Sequence, residues 1–327
     1  MKQIVLSGMR PTGKLHIGHY HGAIVNWLKL MENHQCFFFV ADWHALTTDY
    51  TDTSNLKNNI EDMAYDWMAT GLDPERCTLF IQSRVKPHAE LHLLLSMITP
   101  IAWLERNPAY KEQLQNADGR DLSNYGFLGY PVLQTADIII YKANKVPIGE
   151  DQVPHLELSR EIVRRFNNLY KNVFPEPQAM LTEAPRIPGT DGRKMSKSYN
   201  NAIFLSDEPD VVEQKIKPMM TDPARKTRKD PGEPTKCPVY YLHLIYSTKE
   251  IIKNVETGCR TAGIGCLDCK GWLIPRINNF LDPIREKRNA LVKEGMVWDV
   301  LERGSKKANE VAQKTLEEVR NAMGLLK

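Results

Sequence analysis

Two histidines stand where a glycine-containing loop leads into a predicted helix. The segment 4–7 predicts a short strand, loop 8–13 follows it, and a helical pattern begins at about His16. Free backbone N–H groups and the positive end of the dipole stabilise phosphate oxygens at such a helix start. His16 and His19 share one helical face and can donate to one phosphate, while Gly18 leaves room for a nucleoside. The segment predicts a nucleotide-phosphate site; the alternative is a helix start with two surface histidines.

A second group of residues suited to chemistry lies in a lysine-rich loop. Lys194 and Lys197, interleaved with the hydroxyls of Ser196 and Ser198, follow a glycine-punctuated segment at 189–193. Ammonium groups in a mobile loop can follow a leaving pyrophosphate as its charge grows, so that they bind the transition state rather than the ground state. The pattern indicates an anion clamp, and the alternative is an exposed basic loop.

Four of the six cysteines fall in the C-terminal part of the chain: Cys237, Cys259, Cys266 and Cys269. The short spacing of the last pair lets two thiolates reach one metal ion or cluster. Zinc and an iron–sulfur cluster would use the same four thiolates, and four free buried cysteines are a third alternative. Cys36 and Cys77 each open an apolar strand, which predicts core thiols without chemistry.

Alternating strand-like and helix-like segments must position these residues. Strands are predicted at 37–41 and 78–82, and helices at 16–32, 54–70 (capped by Thr53 or Ser54) and 89–97, with the alternation continuing through 138–141, 146–148 and a helix around 155–168. This order predicts an α/β fold, a Rossmann-like doubly wound parallel sheet that binds ligands at the carboxyl ends of its strands.

The residue pattern of the sequence changes after about Asp207. Strand signals nearly vanish, and charged, helix-favouring segments dominate. Segment 307–323 is amphipathic, with Ala308, Ala312 and Leu316 along one stripe. The sequence therefore predicts a catalytic Rossmann-like domain over residues 1–205 and a C-terminal all-α domain over residues 206–327.

Composition and charge exclude several classes of protein. The 327 residues are 42% hydrophobic and 25% charged, which is ordinary for a globular protein and excludes disordered and collagen-like chains. The net charge of +3 neither requires nor excludes a nucleic-acid partner. No run approaches ~18 apolar residues, so no membrane-spanning helix is expected. The N-terminus lacks a signal-peptide pattern, which favours a cytoplasmic location.

Three ordered motifs resemble those of known enzymes. The segment His16-Ile17-Gly18-His19 and the loop 194–198 resemble the two signatures of class I aminoacyl-tRNA synthetases, and segment 149–160 resembles that of bacterial tryptophanyl-tRNA synthetases. The resemblance extends over nearly the whole chain. Tyr130, Gln134 and Asp137 also resemble the amino-acid site of tyrosyl-tRNA synthetases, but segment 149–160 and the simple helical C-terminus favour tryptophan.

The resemblance implies an ATP site and four residues of the catalytic machinery. Phosphates would be supported by His16 and His19 and followed by Lys194 and Lys197. The residues implied to contact ATP are Arg10, Pro11, Thr12, Gly18, His19, Gly149, Glu150, Asp151, Ile187, Lys194, Met195, Ser196, Lys197 and Ser198.

The resemblance also implies a tryptophan site. Tyr130 and Gln152 would bind the ammonium group and Asp137 would accept the indole N–H. The remaining implied residues are Leu6, Gln134, Val146 and Ile148. A buried carboxylate within aliphatic walls suits an indole, which has one N–H donor and a large apolar face. Phenylalanine lacks that donor, and a site of this kind can reject it by ~10⁴ or more without editing. The alternative for Asp137 is a helix-surface carboxylate.

The reaction and partners follow from the same resemblance. It implies ATP-dependent activation of L-tryptophan with Mg²⁺, transfer to tRNA(Trp), anticodon binding by the helical domain, a homodimer, and no membrane association. The four cysteines resemble a subset of the family with a [4Fe-4S] cluster, and Zn²⁺ is the alternative. A basic run at 225–229 is a further phosphate-contact prediction. A nucleotidylyltransferase and a non-enzymatic relative of the fold are the alternatives from other classes.

Overall fold

A five-stranded parallel sheet organises the N-terminal part of the chain. The structure is a computed structural model that describes residues 2–115, 121–181 and 186–325. Within these residues the strands are β1 (Ile4–Met9), β2 (Gln35–Val40), β3 (Thr78–Ile81), β4 (Lys145–Ile148) and β5 (Gln178–Leu181). Their order is β3-β2-β1-β4-β5 and every pairing is parallel. The predicted Rossmann-like fold class is confirmed.

Helices cover both faces of this sheet and form the C-terminal region. They are α1 (Ile17–His19), α2 (Val25–Asn33), α3 (Asp42–Asp49), α4 (Leu56–Ala69), α5 (Pro87–Ser96), α6 (Ile101–Glu105), α7 (Pro108–Gln115), α8 (Tyr125–Ile140), α9 (Val153–Leu169), α10 (Pro209–Ile216), α11 (Pro238–Tyr246), α12 (Lys249–Arg260), α13 (Cys266–Glu294) and α14 (Val297–Met323). No helix in the described ranges is long and apolar enough to cross a membrane.

The central strand β2 shows why the sheet is buried on both faces. Its five residues after Gln35 are apolar and buried, as expected for a parallel strand covered on each side. Phe38 stacks on Trp27 of α2, with ring centroids 4.5 Å apart. Phe37, on the opposite face, stacks on Tyr141 at 4.7 Å, just after α8. The sheet therefore has a core on each side.

The first predicted helix differs from a regular α-helix. His16 is its N-cap, and after α1 the residues Tyr20–Ile24 form a π-helical turn before α2 begins.

The expected cap of the helix at 54–70 is wrong, because Asn55 occupies the N-cap position and Ser54 instead donates to Asp52 at 2.7 Å. Of the two apolar segments after 137, residues 138–140 end α8, whereas 146–148 lie in β4.

The last helix returns to the sheet. The amphipathic segment 307–323 lies in α14, which packs against the edge strand β3. Gly304 lets the helix approach closely, since a Cβ there would lie 1.8 Å from the Leu79 carbonyl oxygen. The Ser305 hydroxyl accepts a hydrogen bond from the Ile81 N–H at 3.2 Å. The C-terminal helix α14 thus packs directly against the sheet. The domain boundary at residue 205 stays a prediction.

Candidate active site

The predicted phosphate site is built by the turn from β1 into α1. The rings of His16 and His19 stack with centroids 3.7 Å apart. The backbone N–H of His16 donates to Nδ1 of His19 at 3.2 Å, so the ring proton of a neutral His19 resides on Nε2. Burial, followed by nearby cations, lowers the pKa of His16 to about 4; burial and His16 lower that of His19 to about 2. Both rings are neutral donors at physiological pH.

Gly18 and the Nδ1 atom of His16 favour ligand binding at this turn. A Cβ on Gly18 would lie 2.9 Å from the ring of His16, so a side chain is not tolerated there. Nδ1 of His16 is buried without a hydrogen-bond partner among the described residues. An unpaired buried polar atom is costly unless a ligand satisfies it. The turn is therefore suited to receive a hydrogen-bonding ligand.

The lysine loop lies directly over this turn. Lys197 Nζ donates to the Thr12 carbonyl oxygen at 2.7 Å and to its hydroxyl at 3.2 Å. Burial lowers the pKa of Lys197 to about 8, although Asp66 and Asp62 act in the opposite direction. Lys194 is exposed. The two predicted motifs, far apart in sequence, are brought together.

A residue that sequence reasoning missed organises the lysine loop. Asn201 is buried, its side-chain oxygen accepts from the Ser196 N–H at 2.8 Å, and its amide donates to Asp191 at 2.7 Å. A Cβ on Gly189 would meet this side chain at 2.2 Å. An asparagine in a polar loop gives no sequence signal for such a role.

A cavity of about 460 Å³ opens beside the turn, at the carboxyl ends of β1 and β4. Its volume suits a small-molecule ligand. All the residues predicted for tryptophan line it: Leu6, Tyr130, Gln134, Asp137, Val146, Ile148 and Gln152. The structure therefore brings together the whole predicted amino-acid site.

Asp137 is the buried carboxylate of this cavity, so it is not on the helix surface. It accepts from His44 Nε2 at 2.7 Å, from His88 Nδ1 at 2.5 Å and from Gln82 Nε2 at 2.8 and 2.9 Å. Burial alone would raise its pKa, but the hydrogen bonds from His44 and His88 outweigh it and lower the pKa to about 2. These three donors were missed because they come from separate elements.

A second polar group in the cavity is also held by a histidine. The Tyr130 hydroxyl and His155 Nε2 are 2.9 Å apart, and His155 Nδ1 is 3.2 Å from the amide of Asn107. Burial lowers the pKa of His155 to about 4. Gln152 donates to Asp151 at 2.9 Å at the rim of the cavity.

The other residues predicted for ATP fall in three places. Arg10 and Gly149 line the main cavity, and Arg10 pairs with Asp49 at 2.9 Å. Pro11 and Thr12 line a neighbouring cavity of about 360 Å³. The rest are buried in the core (Ile187, Met195), half-buried (Ser196) or exposed (Glu150, Asp151, Ser198).

The four C-terminal cysteines surround one small cavity of about 20 Å³: Cys237, Cys259, Cys266 and Cys269. Cys269 Sγ lies 3.4 Å from His243 Nε2, and burial raises the pKa of the Cys269 thiol to about 12. No three His, Cys, Asp or Glu side chains of the described part of the chain are arranged to hold a metal ion. Cys36 and Cys77 are core thiols whose pKa burial raises to about 11 and 12.

Comparison with known proteins decides between the families. The family described as tRNA synthetases class I (W and Y) matches residues 1–282. The tryptophan–tRNA ligase of Thermotoga maritima is 56% identical over 98% of this chain and 99% of its own, and that of Aquifex aeolicus is 48% identical over the same shares. The chain belongs to the tryptophanyl-tRNA synthetases. A tryptophanyl-tRNA synthetase structure from Campylobacter jejuni, complexed with ADP and tryptophan, matches with a TM-score of 0.89 at 32% identity, covering 99% of this chain and 100% of that one.

Membership in the tryptophanyl-tRNA synthetases confirms the resemblance that the sequence indicated. The tyrosyl alternative is not supported, because these full-length relatives are tryptophan ligases. A nucleotidylyltransferase and a non-enzymatic relative are not supported for the same reason. Membership does not extend to the iron–sulfur subset or to the roles of individual side chains.

Proposed function

We propose that this chain ligates L-tryptophan to tRNA(Trp) in two steps, within the cavity that Asp137 lines. A tryptophan carboxylate oxygen attacks the α-phosphorus of ATP, and the bond from that phosphorus to the bridging oxygen breaks. Pyrophosphate leaves with the bonding electrons, and Mg²⁺ accompanies ATP as its substrate complex. The 3′-terminal ribose hydroxyl of the tRNA then attacks the acyl carbon and AMP leaves. The observation that carries the proposal is the cavity itself, lined by all the residues predicted for tryptophan and by Gly8, Met9 and Arg10, where β1 leads into the turn.

The turn from β1 into α1 and the lysine loop over it support ATP roles for the predicted residues. His16 and His19 donate from neutral rings to the phosphates, next to Arg10, Pro11, Thr12 and Gly18. Lys194 and Lys197 stabilise the departing pyrophosphate with Met195, Ser196 and Ser198 of their loop, and Gly149, Glu150, Asp151 and Ile187 hold the ribose and adenine. The short distance from Lys197 to Thr12 supports this closure.

The cavity supports the amino-acid roles. Tyr130 and Gln152 bind the ammonium group, and Asp137 accepts the indole N–H. Leu6, Val146 and Ile148 provide apolar walls, and Gln134 completes the lining. Phenylalanine has no ring N–H and so cannot make the hydrogen bond to Asp137 that tryptophan makes.

ATP–pyrophosphate exchange tests this function. We expect exchange that depends on tryptophan and is much slower with tyrosine at equal concentration. Aminoacylation of tRNA(Trp) transcripts tests the second step. Exchange with tyrosine at an equal or greater rate, or exchange independent of any amino acid, would overturn the assignment.

We further propose that residues 1–205 form the catalytic domain and that residues 206–327 bind the anticodon. Every ATP and tryptophan residue named above precedes position 205, which supports the first part. The basic run 225–229 begins beside the cysteine cavity, where Arg225 lies 3.9 Å from Cys259 Sγ. Charge reversal at Lys226 and Lys229 should raise the KM for tRNA and leave pyrophosphate exchange unchanged; an unchanged KM would contradict this role.

The four cysteines are proposed to bind a [4Fe-4S] cluster, with Zn²⁺ as the alternative. Four thiols around one cavity with apolar walls are a donor set that suits either group. Because no three of these side chains are arranged to hold an ion in the described part of the chain, binding of either group requires the thiols to move closer to a common centre. Iron, sulfide and zinc assays after anaerobic purification distinguish them. Absence of all three from the purified protein would overturn metal binding.

A homodimer in the cytoplasm is proposed as the working state. Large apolar side chains are exposed on or next to α5, α6 and α8: Leu93, Met97, Ile101 and Tyr125. Exposed apolar side chains of this size suit a partner surface, and a second copy is the partner that the family resemblance implies. Sedimentation of the wild-type protein and of Met97→Glu should give a dimer and a monomer respectively. A monomeric wild-type protein would contradict the proposal.

A further inference from the structure

A hydrogen-bonded chain runs behind the wall of the cavity. Asp137 and Tyr141 stand one turn apart at the end of α8, and the ring of His88 from α5 lies between them. His88 Nδ1 is 2.5 Å from Asp137 Oδ1, and His88 Nε2 is 2.7 Å from the Tyr141 hydroxyl. All three side chains are buried, and His88 does not line the cavity.

The chemistry of these groups fixes which atom donates and which accepts in each of the two hydrogen bonds. A carboxylate only accepts hydrogen bonds, so His88 donates from Nδ1. In the neutral ring Nε2 then accepts from the Tyr141 hydroxyl, which keeps its proton because burial raises its pKa well above the ordinary value. Tyr141 thereby selects the ring tautomer that donates to Asp137.

The two oxygens of Asp137 have different surroundings. Oδ1 accepts from His88 and Gln82, both buried behind the cavity wall. Oδ2 accepts from His44, and the Gln82 amide also reaches it at 2.9 Å. Gln82 is itself fixed, since its side-chain oxygen accepts from the Trp43 N–H at 3.2 Å. His44 lines the cavity and His88 does not, so a ligand donor in the cavity is expected to meet Oδ2.

We propose that His88, oriented by Tyr141, is a positioning residue that keeps Asp137 ionised and aimed into the cavity. It sets the affinity for an aromatic amino acid with a ring N–H donor. The inference rests on the proposed role of Asp137 and adds the residues that make this carboxylate competent. His88 acts through Asp137 and touches no substrate.

Removal of His88 should make tryptophan binding sensitive to acid. The titratable groups that face Asp137 are His44 from α3, His88 and His92 from α5, and Tyr141 from α8. Burial raises the pKa of the carboxyl and the donors lower it, so without His88 the pKa rises. Protonation as the pH falls then removes the acceptor for the indole. The wild-type protein keeps the carboxylate throughout the neutral range.

Three variants and one control test the inference. His88→Leu removes the donor to Asp137, and His88→Asn retains an N–H near the Nδ1 position. Tyr141→Phe removes the hydrogen bond that fixes the His88 tautomer, and the control Asp137→Asn removes the charge of the carboxylate. Pyrophosphate exchange gives KM for tryptophan and kcat between about pH 5.5 and 8.5. For His88→Leu we expect KM for tryptophan to rise about 10- to 100-fold at neutral pH and further in acid, with a smaller change in kcat and in KM for ATP. His88→Asn should restore most of the affinity, and Tyr141→Phe should give a smaller effect of the same kind.

The outcomes separate this inference from the proposed function. An unchanged KM and pH profile in His88→Leu, while Asp137→Asn is impaired, overturns the positioning role alone. Unaltered tryptophan affinity in Asp137→Asn overturns the role of Asp137 and the inference with it. If His88→Leu fails to fold, Tyr141→Phe decides: a wild-type KM for tryptophan and a wild-type pH profile in that variant overturn the inference.

Discussion

Neutral imidazoles beside a cationic lysine define the electrostatics of the turn from β1 into α1, the proposed phosphate site. Burial keeps His16 and His19 uncharged at neutral pH, whereas Lys197 is protonated below its lowered pKa of about 8. In the roles proposed for them, the neutral rings donate to phosphate oxygens without the strong ground-state attraction of a full charge. The proposed role of the lysine charge is to stabilise the departing pyrophosphate, where it contributes to rate rather than to affinity.

The pKa of Lys197 predicts an alkaline limb in the activity of the free enzyme. Its charge is present below pH 8 and is lost as the pH rises through the pKa of about 8, so kcat/KM for ATP should fall on that side. In Lys197→Arg the guanidinium stays protonated, and the decline should disappear. Lys197→Met should lower the rate by ~10²–10³ at every pH. Pyrophosphate exchange across the pH range measures all three, and a decline that persists in Lys197→Arg would contradict the assignment.

The contact between α14 and β3 depends on the absence of a side chain. A Cβ at Gly304 would lie 1.8 Å from the Leu79 carbonyl oxygen, so Gly304→Ala must push the helix off the sheet. We expect a loss of about 2–4 kcal/mol in the free energy of unfolding. Gly271→Ala in α13 is the matched control, because nothing lies within 4 Å of its Cβ and alanine favours a helix. Urea denaturation compares them; equal stabilities of the two variants would refute the close contact.

Some elements were predictable from the sequence for definite physical reasons. A run of buried apolar residues predicts β2, and the amphipathic stripe in 307–323 predicts a helix, because each pattern is local. The surface that receives that helix was not predictable, since β3 lies far away in the chain. The same holds for His44, His88 and Gln82: only the order of the strands brings these side chains to Asp137. The predicted cap of α4 failed because Ser54 bonds within its own turn.

A buried ion pair joins the helical region to the turn from β1 into α1. Arg288 of α13 donates from Nε to Asp66 at 2.7 Å and also pairs with Asp62. Asp66 is fully buried, and its other oxygen accepts from the Leu15 N–H at 2.7 Å, one residue before His16. The position of α13 is therefore connected to the start of α1 through a single carboxylate.

Loss of Arg288 should lower the stability of the protein and weaken nucleotide binding. Arg288→Met leaves the Asp66 carboxylate buried without its cation, which costs about 3–5 kcal/mol in the free energy of unfolding. The displaced Leu15 N–H should also raise the KM for ATP. Lys287→Met, at an exposed neighbouring position of α13, is the control and should change neither quantity. Urea denaturation and exchange kinetics give the two readouts, and a stability of Arg288→Met equal to that of the control would argue against the connection.

The cover that α14 places over β3 has a consequence for biosynthesis. Translation proceeds from the N-terminus, so the ribosome releases all five strands before it delivers residues 297–323. Until then the Ile81 N–H and its neighbours form an open edge to which other nascent chains can add. A transcript that stops before codon 297 should therefore yield aggregates, and co-expression of the missing segment as a separate peptide should return product to the supernatant.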